Sequence, residues 1–225
     1  MIEMTAADPT HFLNQVRKNY DRLSSIYDFI SGNSELKITR RVIEHMGKRQ
    51  PEKILDIGCG TGNSLIEIKK DLKNQTHILG LDLSYKMCQK ARNKLNGLEG
   101  SADADVICSN ALSAPYAENS LNAILLSFTL ELLPGELMGS LLDEIARLLV
   151  RDGYLYVIHM AEEETNSIIS NLYKRAHKKF PRLIDCRPIS ATNILERRGY
   201  KILYSQMVRL WGLPVGILEA TKGKD

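Results

Sequence analysis

The segment Ile54-Leu55-Asp56-Ile57-Gly58-Cys59-Gly60-Thr61-Gly62-Asn63 constrains the fold of this chain more than any other. A short apolar run enters a turn with glycine at every second position. A helical pattern over Asn63 to Leu72 follows, with Leu65, Ile68 and Leu72 on one face. Glycine accepts positive φ and lets a ligand approach the backbone closely. A strand, a glycine turn and a helix in that order put the turn at the carboxyl end of a strand, where open α/β sheets bind ligands. Ile78 to Leu81, Val106 to Cys108, Ala123 to Ser127 and Tyr154 to Met160 read as further strands. Helical patterns with Met87, Ala91 and Leu95, and with Leu137, Leu141, Ile145 and Leu148, lie between them. The alternation predicts βαβ units and a mostly parallel sheet with helices on both faces.

The flanks differ in texture. Pro9 to Arg49 reads as helical, from Phe12, Val16 and Tyr20 and then Leu23, Ile26, Tyr27 and Ile30. Gly32 is expected to break it before Leu36 to Met46 resumes the pattern. Glu162 to Phe180 reads as a polar helix and Ile189 to Arg198 as another. Tyr200 to Val208 and Val215 to Thr221 read as strands joined by Arg209 to Pro214. So short a link predicts an antiparallel pair, because a parallel pair needs a crossover of roughly a dozen residues. The expectation is a single domain over 1–225: a helical lid at 1–50, a core at 51–160, and a pocket cover that completes the sheet at 161–225.

The 225 residues are enough to bury a core without disulfides or metals. Thirty Lys plus Arg against 27 Asp plus Glu leave a charge of +3, which points to no nucleic-acid partner. No run approaches the roughly 20 apolar residues of a membrane span, and no secretory signal is visible. Cys59, Cys88, Cys108 and Cys186 show no metal-ligand spacing, so no metal is expected and reduced thiols in a cytoplasmic protein are.

The acidic residues around the turn narrow the chemistry. Dinucleotide enzymes space their glycines G-x-G-x-x-G, whereas Gly58, Gly60 and Gly62 give G-x-G-x-G. Asp56, two residues before the first glycine, suits an ammonium better than a pyrophosphate. Asp82 ends the second strand, where a carboxylate can accept from ribose hydroxyls, or act only as a helix cap. Asn110 ends the third and can pair with an adenine edge or simply shape a turn.

These residues resemble class I S-adenosylmethionine-dependent methyltransferases. LDIGCGTGN is similar to their first motif, LGLDLS to their second and Asn110-Ala111 to their adenine contact, with order and spacing kept over Lys53 to Met160. The resemblance implies a Rossmann-like, seven-stranded, mostly parallel sheet with an antiparallel final strand pair and an N-terminal helical lid. It implies S-adenosyl-L-methionine as cofactor, with Gly58, Gly60 and Gly62 under its methionine part. Asp56 would support the loop or the ammonium, Asp82 the ribose, and Asn110 the adenine. Tyr27, Asn63, Leu83, Met87, Ala111 and Ser127 complete the expected contacts. Many relatives carry Asp where this chain has Asn110.

Tyr20-Asp21-Arg22-Leu23 and Ile26-Tyr27-Asp28 resemble a lid segment of the ubiquinone/menaquinone C-methyltransferases and their relatives. Tyr20 and Tyr27, seven apart, are expected on one helix face, as lid or as core aromatics. The quinone enzymes usually carry an Arg-Asn pair near the end of the fourth strand, where this chain reads Ser127-Phe128-Thr129-Leu130-Glu131. His159 and Glu131 are the candidate catalytic groups, His159 as a base or as a hydrogen-bonded core residue. Lys174 to Arg182 is a basic stretch, read as a solvated face or as peripheral membrane contact. Cys186 is a candidate reactive thiol, and Met207 and Trp211 are core or pocket wall.

The expected reaction is methyl transfer to a small-molecule acceptor by a monomer or homodimer. A quinone-like or lipid-like acceptor, a non-catalytic cofactor-binding module, and a nicotinamide dehydrogenase disfavoured by the glycine spacing are the alternatives.

Overall fold

The computed structural model describes residues 9–72, 76–98, 104–162 and 187–223. Two helices come first, α1 (Pro9–Leu23) and α2 (Tyr27–Gly47). The alternating core follows: β1 (Lys53–Ile57), α3 (Asn63–Asp71), β2 (His77–Asp82), α4 (Tyr85–Asn96), β3 (Ala104–Cys108), β4 (Leu121–Ser127), α5 (Gly135–Leu148) and β5 (Leu149–Met160). Helix α6 (Ala191–Arg197), β6 (Tyr200–Leu210) and β7 (Leu213–Lys222) close it.

All seven strands join one sheet in the order β3-β2-β1-β4-β5-β7-β6. The pairs from β3 across to β5 are parallel, and β7 is antiparallel to both β5 and β6. Both faces are covered, which is why β1 and β4 are buried almost throughout. On one face Ile54, Leu125 and Ile158 pack under α2, α3 and α4 through Val42, Leu65 and Ala91. On the other, Leu55, Ile124 and Val157 pack under α5 through Leu141 and Ile145, and Leu195 of α6 joins them.

The chain leaves β1 toward β2 and β3, then returns to β4 on the other side of β1. This reversal opens a crevice beyond the carboxyl ends of β1 and β4, the usual ligand position in such sheets. Register keeps those ends level, because Ile57 pairs with both Leu81 and Leu126.

Several boundaries differ from the sequence reading. Helix α2 runs through Gly32, and the break falls instead at Ser24–Ile26, where the Ser24 hydroxyl donates to the Asp21 carbonyl. Serine competes for backbone groups at a helix end, whereas one glycine inside a helix costs only about 1 kcal/mol. Tyr20 and Tyr27 therefore lie on different helices, and only tertiary packing brings their rings to 6.1 Å. Strand β5 starts at Leu149, with a register shift against β4 between Leu121 and Ala123. The β6–β7 link is a two-residue turn, Trp211-Gly212, with φ of +50° and +81°. Two positive φ values give a turn whose twist matches a hairpin, so both strands run longer than expected. The polar helix expected to Phe180 lies outside the described residues from 163 on, as do the basic stretch and Cys186. Among the described residues no helix is long and apolar enough to cross a membrane.

Gly62 shows how tightly the turn is built into this packing. Its φ is +82°, and an added Cβ would lie 2.9 Å from the Ala91 Cβ of α4. Gly62→Ala is expected to cost roughly 2–4 kcal/mol from the left-handed backbone and the clash together. Urea denaturation should show a lower midpoint with an unchanged slope.

Candidate functional site

The turn after β1 is held from behind. The N–H groups of Gly58 and Cys59 both donate to the Leu81 carbonyl, and that of Gly62 donates to the Cys59 carbonyl. The Gly60 N–H donates to Asp82 Oδ2 at 2.9 Å. Four N–H groups of the turn are thus spent inside the protein. An anion-binding nest needs such groups free, so the turn is no pyrophosphate cradle. Gly58 has φ +75°, and an added Cβ there would lie 2.4 Å from Thr129 Oγ1.

Two carboxyl groups lie within this frame. Asp82 also accepts from the Ser84 N–H at 2.8 Å. Burial pushes its pKa up to about 6, although the Ser84 and Gly60 donors pull the other way. Asp56 is fully buried on the α3 side, where the Ser64 hydroxyl donates to its Oδ2 and Oδ1 has no hydrogen-bond partner among the described residues. Burial raises Asp56 to about 7, opposed by Ser64 and helped by the nearby Asp82.

The first two helices are pinned over the turn by two more aspartates. Asp21, in the last turn of α1, accepts from the Ser84 hydroxyl at 2.6 Å and the Lys86 N–H at 3.2 Å. Ser84 in turn caps α4 by accepting from the Met87 N–H. Asp28, in the first turn of α2, accepts from Lys94, Thr61 and Asn63. Burial opposes its ionisation, but those three donors outweigh it and hold Asp28 below the ordinary carboxylate range.

Under these helices lies a cleft of about 790 Å³, lined by Leu13, Val16, Arg17 and Tyr20 of α1 and by the carboxyl ends of β1, β2 and β4. Of the residues expected at the cofactor, Tyr27, Gly58, Gly60, Asp82, Leu83, Asn110, Ala111 and Ser127 line it. Asn63 lines an adjoining pocket of about 450 Å³ that shares Tyr27, Gly58, Gly60 and Ser127 with the cleft. Asn110 Oδ1 accepts from the Leu112 N–H and starts a single 3-10 turn, Ala111–Ser113. That leaves its Nδ2 as the side-chain group to offer an adenine edge.

Five expected residues line neither the cleft nor the adjoining pocket: Asp56, already placed on the α3 side, and four more. Gly62 packs on Ala91, and Met87 is fully buried on the inner face of α4. Glu131 is buried and accepts from the Met160 N–H at 2.9 Å, tying the exit of β4 to the end of β5. His159 is buried against β7, its Nε2 2.3 Å from where a Cβ on Gly216 would sit. Burial depresses its pKa, opposed by a contact of 3.1 Å between Nδ1 and the Met160 carbonyl. The period of a strand sends alternate side chains to opposite faces, and this one faces core. Neither candidate catalytic group is therefore in position to touch a ligand in the cleft.

Sequence reasoning missed Thr129, Phe128 and Glu35. Phe128 lines the cleft with φ +52°, held by its N–H to the Ile158 carbonyl. A non-glycine residue in that region costs about 1–2 kcal/mol. Glu35 lines the smaller pocket, and burial raises it to about 7. Its signal was readable: Glu35 shares a helical stripe with the buried Ile38, Thr39, Val42, Ile43 and Met46.

Comparisons with known proteins agree with this geometry. The model of the ubiE/COQ5 methyltransferase family matches residues 2–185. A demethylmenaquinone methyltransferase of Staphylococcus aureus (strain MRSA252) is 28% identical over 159 residues, 70% of this chain and 62% of that protein. The chain thus spans less than two thirds of the length of this relative. Among solved structures, magnesium protoporphyrin IX methyltransferase from Synechocystis PCC 6803 with bound SAH superposes with a TM-score of 0.75 at 17% identity, over 94% of this chain and 100% of that one. The cyclase SpnF gives 0.72 at 19%, over 95% and 97%.

The burial of Asp56 has a measurable consequence. Its raised pKa means that the folded protein holds a proton which the unfolded chain releases near pH 4, so this group's contribution falls as pH rises from about 4 to 7. Asp56→Asn removes the penalty while keeping the bond from Ser64. It should raise stability above pH 7 by on the order of 3 kcal/mol, with no gain at pH 3.5. Chemical denaturation of both proteins across that range checks it.

Proposed function

The chain belongs to the ubiE/COQ5 methyltransferase family, and from that membership we propose that it transfers a methyl group from S-adenosylmethionine to a small apolar acceptor. The observation that carries the proposal is the series of Gly58, Gly60, Asp82 and Asn110 along one cleft at the reversal of strand order. Bound there, S-adenosylmethionine supplies an activated methyl group on a sulfonium. Its net positive charge fits a turn whose donors are spent and whose neighbouring carboxyl groups carry the cost of burial.

The residues divide the work by position. Asp82 is placed to accept from ribose hydroxyls while its backbone donors keep it oriented. Asn110 Nδ2, with Ala111 and Leu83 beside it, holds the adenine. Gly58 and Gly60 let the methionine part lie against the backbone, and Tyr27 covers it. Apolar side chains of α1 and the β4 exit exclude water from the approach to the methyl, which raises the effective concentration of a bound acceptor.

The acceptor follows from the rest of the lining. Leu132, Leu133, Leu141 and Phe128 offer an apolar wall, and Arg17, Tyr20, Tyr27 and Asp82 are the ionisable lining groups among the described residues. With Asp82 assigned to the cofactor, no carboxylate or histidine remains as a base among the described lining residues. An acceptor that ionises readily by itself, or reacts at an electron-rich ring carbon, needs none. A quinone-like acceptor in reduced form meets both conditions, and the demethylmenaquinone methyltransferase relatives favour it.

Titration calorimetry with S-adenosylmethionine tests the cofactor. Affinity is expected to rise at least tenfold from pH 5.5 to pH 8, as Asp82 near 6 and Asp56 near 7 ionise. Labelled S-adenosylmethionine with a reduced demethylquinone tests the acceptor. Methyl incorporation that survives His159→Gln within threefold is expected, and binding without turnover on quinone and other apolar acceptors would favour a non-catalytic module.

A further inference from the structure

Glu35 is a carboxyl group on a helix stripe that otherwise points into core. It faces the pocket of about 450 Å³ beside the glycine turn. Its side chain has no hydrogen-bond or ion-pair partner among the described residues, and only its backbone carbonyl is engaged, by Thr39. The cation nearest the turn, Lys94, is already committed to Asp28, Thr61 and Asn63 at 2.7–3.0 Å. Four N–H groups of the turn donate inside the protein, and the lining side chains Thr39, Thr61, Asn63 and Ser64 donate to the Glu35 carbonyl, to Asp28 and to Asp56. A pocket whose donors are so engaged and that holds one uncompensated carboxyl calls for a ligand group that donates hydrogen bonds and carries positive charge. The pocket adjoins the cleft through Gly58 and Gly60, whereas Asn110 lines the cleft alone.

We propose that Glu35 receives the α-ammonium group of the cofactor's methionine end, making it the residue through which α2 selects an amino-acid-bearing nucleoside over a plain one. This rests on the reading of the cleft as an S-adenosylmethionine site. Glu35 then acts on binding rather than on the methyl. Burial raises Glu35 to about 7, and a neighbouring ammonium favours its ionised form.

The test is calorimetry at pH 8 on the full chain with three probes: S-adenosylhomocysteine, its analogue with hydrogen in place of the amino group, and 5′-methylthioadenosine. Wild type is expected to bind the first at least tenfold more tightly than the second. Glu35→Gln should lose about tenfold for S-adenosylhomocysteine and stay within twofold for the other two, and Glu35→Met, which suits a core stripe, should do the same. Thermal melts of both variants should match or exceed wild type. Unchanged S-adenosylhomocysteine affinity in the variants, or an equal loss on all three probes, overturns the role of Glu35 alone. Failure of wild type to bind S-adenosylhomocysteine overturns the cofactor reading and this inference with it.

Discussion

Three carboxyl groups, Asp56, Asp82 and Glu35, surround a turn of glycines in surroundings that disfavour their charge. Each is pushed up to about 6 or 7. Such groups cost stability at neutral pH, because the unfolded chain ionises them freely. Each is fixed by its place in the fold. Asp56 is locked on a central strand, Asp82 by two backbone donors, and Glu35 on a helix whose next three turns are core. On the proposed function, a cationic ligand relieves that cost, which sets stability against binding in this turn.

The helices over the turn depend on the opposite arrangement. Asp21 and Asp28 are satisfied by serine, threonine, asparagine and lysine partners on the turn and on α4. Each bridges more than 30 residues of chain, so α1 is held over the turn by polar contacts rather than by buried area. Helix α1 has no buried residue at all. The apolar side chains it turns inward line the cleft instead, while α2 is anchored by Val42, Ile43 and Met46.

Legibility from sequence followed the range of the interaction. The glycine turn, Asp82 and Asn110 were readable because a strand end, a tight turn and a helix start are local events, and each leaves a residue type that local geometry requires. His159 and Glu131 are candidate catalytic groups by sequence because both lie near carboxyl ends of strands, His159 as a base or as a hydrogen-bonded core residue. The structure places both in the core. A position near a strand end does not say which face a side chain takes or what packs there, and Gly216 and the Met160 N–H, from other segments, occupy those places. Tyr20 and Tyr27 illustrate the same gap: helical spacing predicted a shared face, and a serine turn separated them before packing reunited them.

By itself the sequence determined the alternating α/β plan, the antiparallel last pair and the place of the glycine turn at a strand end, since periodicity and glycine spacing act over a few residues. Only the tertiary structure decided which carboxyl groups lie buried without a cation, which histidine is core and which lid aspartates clamp the turn. Those outcomes depend on how much water remains around a group once distant segments have packed over it, and the cost of charge depends on that solvation rather than on neighbours in the chain.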